Sequence, residues 1–271
     1  MHMSPEQTQW LLKVVQPERT LGALPGAAAL TEPIRAALLG LPVEVYAGEQ
    51  ARMLSAAKAA ARELSAEGAV ATLPVKTGEH VVAFGDSHTS DPQSWAVILG
   101  ELIAARGAAL SISATGGDTT THALVRIGEV VARQPDWVLF LIGVNDARTQ
   151  GPNPGKTLVD ARETARNLRE LHERVARETK ARCLWITPPS VNEERVGAHW
   201  GLSRFGVRFR NRDIAQVAAA VRELGAPTVD LFAALGAPPP EGLLLDDGLH
   251  FTIAGQQRVA REVVRGFSAL R

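Results

Sequence analysis

Cysteine is almost absent: Cys183 is the only one in 271 residues. A single thiol closes no intrachain disulfide, so the fold does not call for an oxidising compartment. Cys183 sits in the apolar, strand-like run "ARCLWIT" and reads as a buried small hydrophobe, not as a nucleophile. An excess of either charge is missing too. Lys+Arg and Asp+Glu both number 29, a formal net charge of zero, which argues against a general nucleic-acid binder. No apolar run approaches the ~20 residues of a membrane span. The opening "MHMSPEQTQW" has neither the basic region nor the long apolar stretch of a signal peptide. The expectation is a cytoplasmic protein with no membrane span and no nucleic-acid partner. Internal repeats are lacking, and low complexity is confined to alanine-rich helices and "APPPEG".

What the chain does have is a large apolar share, 45% of its residues, enough for one sizeable α/β core. From about residue 80 onward, short apolar runs alternate with helical patterns. The runs are "HVVAF", "ALSISA", "WVLFLIG", "RCLWIT" and "PTVDLF"; the helical segments span 94–105, 119–133, 156–179, 213–224 and 252–270. Continuous apolar strands between helices predict a parallel, doubly wound sheet covered on both faces. In 156–179, Leu158, Ala161, Ala165, Leu168, Leu171 and Val175 recur at helical spacing. Residues 1–75 differ. "SPEQTQWLLKVV", "LTEPIRAALLG" and "EQARMLSAAKAAARELSAEG" read as helices broken by Gly and Pro, and in the third Met53, Leu54, Ala57, Ala61 and Leu64 share a face. The division expected is a helical N-terminal appendage, 1–75, packed on a catalytic domain, 76–271. The appendage could be packing, an interaction module or a substrate lid.

In an open parallel sheet, ligands bind beyond the carboxyl ends of the strands. That rule gathers "FGDSHTS", "TGGDTT", "GVNDAR", "TPPS" and "LDDGLHFT" onto one edge. Acyl transfer needs a hydroxyl, a base, a group that orients the base, and donors for the developing oxyanion. Ser87 supplies a hydroxyl at a strand-to-helix turn. His250 is the base candidate, and Asp247, three residues earlier, can meet its Nδ1. Asp246 is the rival carboxylate. The N–H groups of Ser87 and Gly117 and the side-chain amide of Asn145 are the donor candidates. His88 adjoins Ser87 but is poorly placed to fold back onto its hydroxyl, so it is expected to line the rim or to bond the backbone.

"FGDSHTS", "TGGDTT", "GVNDA" and "DDGLHFTIAGQQRVA" resemble, in order, the four blocks of the SGNH (GDSL-type) hydrolases over about residues 80–270. The resemblance implies a three-layer α/β/α flavodoxin-like fold and a serine mechanism with no metal and no cofactor. Residue by residue it implies Ser87 as nucleophile, Gly117 and Asn145 in the oxyanion hole, and Asp247 and His250 completing the triad. The chain departs from the pattern twice. His88 stands where the first block usually ends in leucine, and Gly116 doubles the glycine of the second block, its "G-D-T-T" register selecting Gly117. "WITPPS" is similar to family members that act on small esters, which makes Pro188 and Pro189, with His88, the candidate pocket residues.

Other chemistries fit less well. "FGDSHT" is not a G-x-S-x-G elbow. "GPNPGKT" falls one residue short of a phosphate loop, and Pro152 and Pro154 remove N–H groups from it. "HERVA" lacks the second histidine of a zinc-protease helix. His80, His122, His172 and His199 are scattered. The segment 192–212 carries Arg195, Arg204, Arg208, Arg210 and Arg212 with Trp200, Phe205 and Phe209. It reads either as a substrate wall or as a solvated loop whose arginines pair with Glu193, Glu194 and Asp213. The function expected is a serine esterase acting on short acyl or acetyl esters of a small molecule or carbohydrate. The alternatives are an acyltransferase to a sugar or alcohol, and a binding module with a vestigial site.

Overall fold

The structure, a computed structural model, describes residues 3–21, 26 and 29–270. Five strands form its centre: β1 (His80–Gly85), β2 (Ala109–Ala114), β3 (Trp137–Leu141), β4 (Arg182–Ile186) and β5 (Thr228–Val229). All pairings are parallel, in the order β2-β1-β3-β4-β5. This is the flavodoxin-like order, and the chain reverses direction across the sheet between β1 and β3. Among the described residues the long helices are α1 (Pro5–Val14), α2 (Val43–Ala66), α3 (Trp95–Ala104), α4 (Thr120–Ala132), α5 (Ala161–Glu178), α6 (Asn211–Arg222) and α7 (Ile253–Ser268).

The two-residue period of a strand sorts the core into two halves. Val81, Ala83, Leu139 and Ile186 face α2, α3 and α7. Val82, Phe84, Phe140 and Trp185 face α4, α5 and α6. On the second face, the Phe140 and Trp185 rings stack at 4.2 Å. On the first, Ala57, Ala60, Ala61 and Leu64 of α2 belong to the same apolar cluster as the sheet. Small alanines let α2 lie close against its neighbours. Leu54 falls outside the expected face and is exposed, its place taken by Ala60.

The helix starts follow from capping chemistry. Ser94, Thr119, Asp160 and Thr252 each accept a backbone N–H from the first turn of α3, α4, α5 and α7. The expected start of α5 at 156 is too early. The N–H groups of Leu158 and Val159 donate to the carbonyls of Arg148 and Asp146 at 2.8 and 3.2 Å, so this stretch is tied to the loop after β3. Leu158 and Ala161 consequently lie off the buried face. "PTVDLF" is not one strand either: only Thr228–Val229 pairs, because the Asp230 side chain caps a helical turn at Leu231–Leu235. Cys183 is half-buried instead of buried, and burial pushes its thiol up to about 12. Among the described residues no helix is long and apolar enough to cross a membrane.

Candidate active site

β1 ends at Gly85, and Asp86 opens the single helical turn Ser87–Ser90. Asp86 is buried and its carboxylate accepts the His88 N–H at 3.0 Å, which braces the turn that presents Ser87. The Ser87 hydroxyl lies 3.0 Å from His250 Nε2, and His250 Nδ1 lies 2.5 Å from Asp247 Oδ2. Asp247 Oδ1 accepts the N–H groups of Leu249 and His250, both at 2.9 Å. The spacing of three residues therefore lets one carboxylate hold both the ring and the backbone of His250. Asp246, the rival, points outward to Arg195 at 3.1 Å.

The loop that carries this pair has a positive-φ residue at its centre, Gly248 (φ +71). A Cβ there would meet the Asn192 carbonyl at 2.6 Å and Val196 N at 3.0 Å, so only glycine fits. The helical turn at Glu193–Ala198 presses on that spot, and the Asn192 N–H donates to Gly248 O at 2.8 Å. Arg195 also donates to the carbonyls of Leu244 and Leu245. The arginine-rich segment is thus divided in use. Arg195 holds the Asp247 loop, and Arg212 pairs with Asp213 at 3.7 Å. Arg204, Arg208 and Arg210 line a cavity of about 650 Å³ with Thr149 and Phe209.

Besides Ser87 itself, the donor candidates follow the two strands flanking β1. Gly117, after β2, has φ +84, and among the described residues neither its N–H nor that of Ser87 meets an acceptor of the protein. Asn145, after β3, gives one amide hydrogen to Asp118 O at 3.1 Å, which leaves its second free to point elsewhere. Below it, Asp146 is wholly buried. Its carboxylate accepts Thr120 N at 2.9 Å, Thr120 Oγ1 at 2.5 Å and Thr164 Oγ1 at 3.0 Å, pinning the loop to α4 and α5. Arg126 on α4 grips Asp118 at 2.6 Å and reaches the Gly85 carbonyl at 3.3 Å.

Electrostatics set the pair apart. Burial alone would raise the Asp247 carboxyl, but the facing His250 ring and the backbone N–H groups outweigh it and hold it well below the usual carboxylate range. Burial works against the charged His250 ring, and Asp247 outweighs that, leaving His250 above its ordinary value. His88 is the opposite case. It was expected at the rim or bonded to backbone, yet it is buried, and neither ring nitrogen has a partner among the described residues. Its ring packs against Phe251 at 5.2 Å and His250 at 5.8 Å. Pro188 and Pro189 are buried in the loop after β4. Among the described residues no three His, Cys, Asp or Glu side chains are grouped to hold a metal ion.

Ser87, Gly117, Asn145, Asp247 and His250 thus come from four loops at one edge of the sheet, and Ser87, Asp247 and His250 are in direct contact. Sequence reasoning missed Trp10, whose indole donates to Asp247 Oδ2 at 2.7 Å, and Lys13, paired with Asp91 at 2.7 Å. It also missed Arg126 and the Asp146 network. No local pattern marks Trp10 or Lys13. The "N-D" pair of the third block did mark Asp146, but only as a motif letter.

Several solved structures share this fold. A mutant of Axe2, an acetyl-xylooligosaccharide esterase from Geobacillus stearothermophilus, is 21% identical with a TM-score of 0.55, over 71% of this chain and 95% of that one. TesA is 20% identical with a TM-score of 0.54, over 71% and 100%. LAE5, an alpha/beta hydrolase enzyme from the metagenome of Lake Arreo, Spain, is 20% identical with a TM-score of 0.53, over 73% and 98%. At such identities the likeness is one of fold. No curated protein matches the chain by sequence. The model of the GDSL-like Lipase/Acylhydrolase family matches residues 83–258. That span covers more than half of the chain and holds every block gathered at the sheet edge, so the chain belongs to this family of carboxylic ester hydrolases.

Proposed function

We propose that the chain is a metal-independent serine esterase that hydrolyses short acyl esters, acetyl esters foremost, through an acyl-enzyme. The observation that carries this reading is the unbroken contact from Ser87 Oγ to His250 Nε2 (3.0 Å) and from His250 Nδ1 to Asp247 (2.5 Å). His250 takes the Ser87 proton as the oxygen attacks the ester carbonyl. The N–H groups of Ser87 and Gly117 and the free amide hydrogen of Asn145 stabilise the oxyanion. His250 then protonates the leaving alcohol, and water releases the acyl group by the same steps. Asp247 fixes the ring's tautomer and favours its charged form as the proton arrives. The catalytic domain is residues 76–271, and the described helices of residues 1–75 are an appendage packed on it. Family membership and a fold shared with an acetyl-xylooligosaccharide esterase support a carbohydrate acetyl ester as the substrate class.

The test is turnover of p-nitrophenyl acetate by purified wild type and Ser87→Ala, with a fluorophosphonate probe as an independent reading of the serine. Wild type should turn over and label at Ser87, and Ser87→Ala should do neither. Hydrolysis retained by Ser87→Ala would sink the assignment. Offering alcohol acceptors in the same assay separates hydrolysis from acyl transfer by the ratio of products.

A further inference from the structure

Asp247 accepts four hydrogen bonds, and one comes from far outside the segment matched by the family. Leu249 N and His250 N share Oδ1, while His250 Nδ1 and Trp10 Nε1 share Oδ2. Trp10 lies on α1, and the family match begins at residue 83. An indole N–H donates and cannot accept, so its only polar role here is to hold an acceptor. Asp247 is fully buried, which makes a 2.7 Å bond to its charged oxygen count for more than it would in water.

The indole is itself held in place. His199 and Trp200 pack against it at 5.2 and 5.3 Å, and a Cβ on Gly201 would strike its ring at 2.9 Å. The spacing 10, 13, 16 continues along one side of α1 and its exit. Lys13 forms a buried ion pair with Asp91, and the Gln16 side chain accepts the Ser90 hydroxyl at 2.9 Å. Ser90 and Asp91 end the turn that begins with Ser87. The Val14 carbonyl rests where a Cβ of Gly116 would stand 2.9 Å away, which accounts for the extra glycine of the second block. One helical stretch thereby touches the triad carboxylate, the nucleophile's turn and the oxyanion loop.

From this geometry we infer that Trp10 is a positioning residue of the hydrolytic site, and that α1 completes that site by fixing the Asp247 carboxylate behind His250. The inference rests on the proposed triad. The indole N–H shares the charge of Oδ2 and fixes the carboxylate plane. Without it, Asp247 becomes more basic, pulls harder on the His250 N–H and is free to rotate. Activity requires neutral His250, so kcat/KM rises with pH through the His250 titration. Strengthening the pull of Asp247 moves that rise to higher pH.

The experiment replaces Trp10 with 3-benzothienylalanine, which keeps the ring shape and packing but carries sulfur where the indole has N–H. Trp10→Phe is the genetically simple companion. Hydrolysis of p-nitrophenyl acetate is followed from pH 5 to 9, with fluorophosphonate labelling of Ser87 in parallel. The expected result for the isostere is kcat lowered about tenfold, the scale of one hydrogen bond to a charged group, KM little changed, and the kcat/KM inflection displaced upward. A pH profile and kcat that superimpose on wild type, with labelling intact, would reduce Trp10 to packing and overturn the inference. A wild type that fails to label at Ser87 would overturn the triad itself, and the inference with it.

Discussion

His88 is a neutral ring in a place that would penalise its charge. Burial, then the neighbouring His250, push it down to about 3, against the weaker pull of Asp247. The unfolded chain takes up this proton near pH 6.5, whereas the folded chain refuses it until about pH 3. The stability difference therefore opens as pH falls below 6.5 and widens toward 3. His88→Leu removes the titration along with two unpartnered nitrogens. Relative to wild type, it should gain about 2 kcal/mol on going from pH 7.5 to pH 5. The quantity to measure is the difference between the two proteins in urea denaturation at each pH. Asp86, which burial pushes up to about 7, runs the other way and drops out of that difference. A difference that stays constant with pH would mean the ring carries no such cost. The leucine usual at this position in the family is thereby explained from the opposite direction. This chain places there an aromatic ring that packs between Phe251 and His250 and stays uncharged.

At the scale of elements, α1 is joined to the main body by a charge pair out of reach of water. Lys13 and Asp91 are 1% and 2% exposed, and Asp91 also accepts Gln256 Nε2 of α7 at 3.1 Å. Lys13→Met leaves a buried carboxylate without its cation, which should cost about 3–5 kcal/mol. The double variant with Asp91→Leu should recover much of that, because neither charge remains. Urea midpoints of the two variants decide it: a neutral Lys13→Met would show that water reaches Asp91. Most elements themselves were legible in the sequence. Apolar runs such as "WVLFLIG" fit a buried strand, and Ser94, Thr119 and Thr252 announce the helices they cap. The start of α5 and the brevity of β5 were not, because the first is decided by hydrogen bonds back to the loop after β3 and the second by one aspartate competing with strand pairing. The candidate site was legible where motifs carry it, at Ser87, Gly117, Asn145, Asp247 and His250. Trp10 was not, since its partner is 237 residues away and leaves no period or spacing to read.

For the molecule as a whole, the order β2-β1-β3 puts Ser87, Gly117 and Asn145 at the place where the chain reverses across the sheet. The final loop must still come back to meet them. His250 and Ser87 are 163 residues apart, and Trp10 and Asp247 are 237 apart. Contacts so distant in sequence form slowly, because the chain's entropy must be given up before they return anything, while helices form locally and fast. Regain of helical circular dichroism after dilution from urea should therefore run ahead of regain of fluorophosphonate labelling, and a common single rate for both would contradict this. Ser87, as the proposed nucleophile, then serves as a counter of finished molecules: a chain whose secondary structure has returned but whose two ends have not met the middle stays silent to the probe.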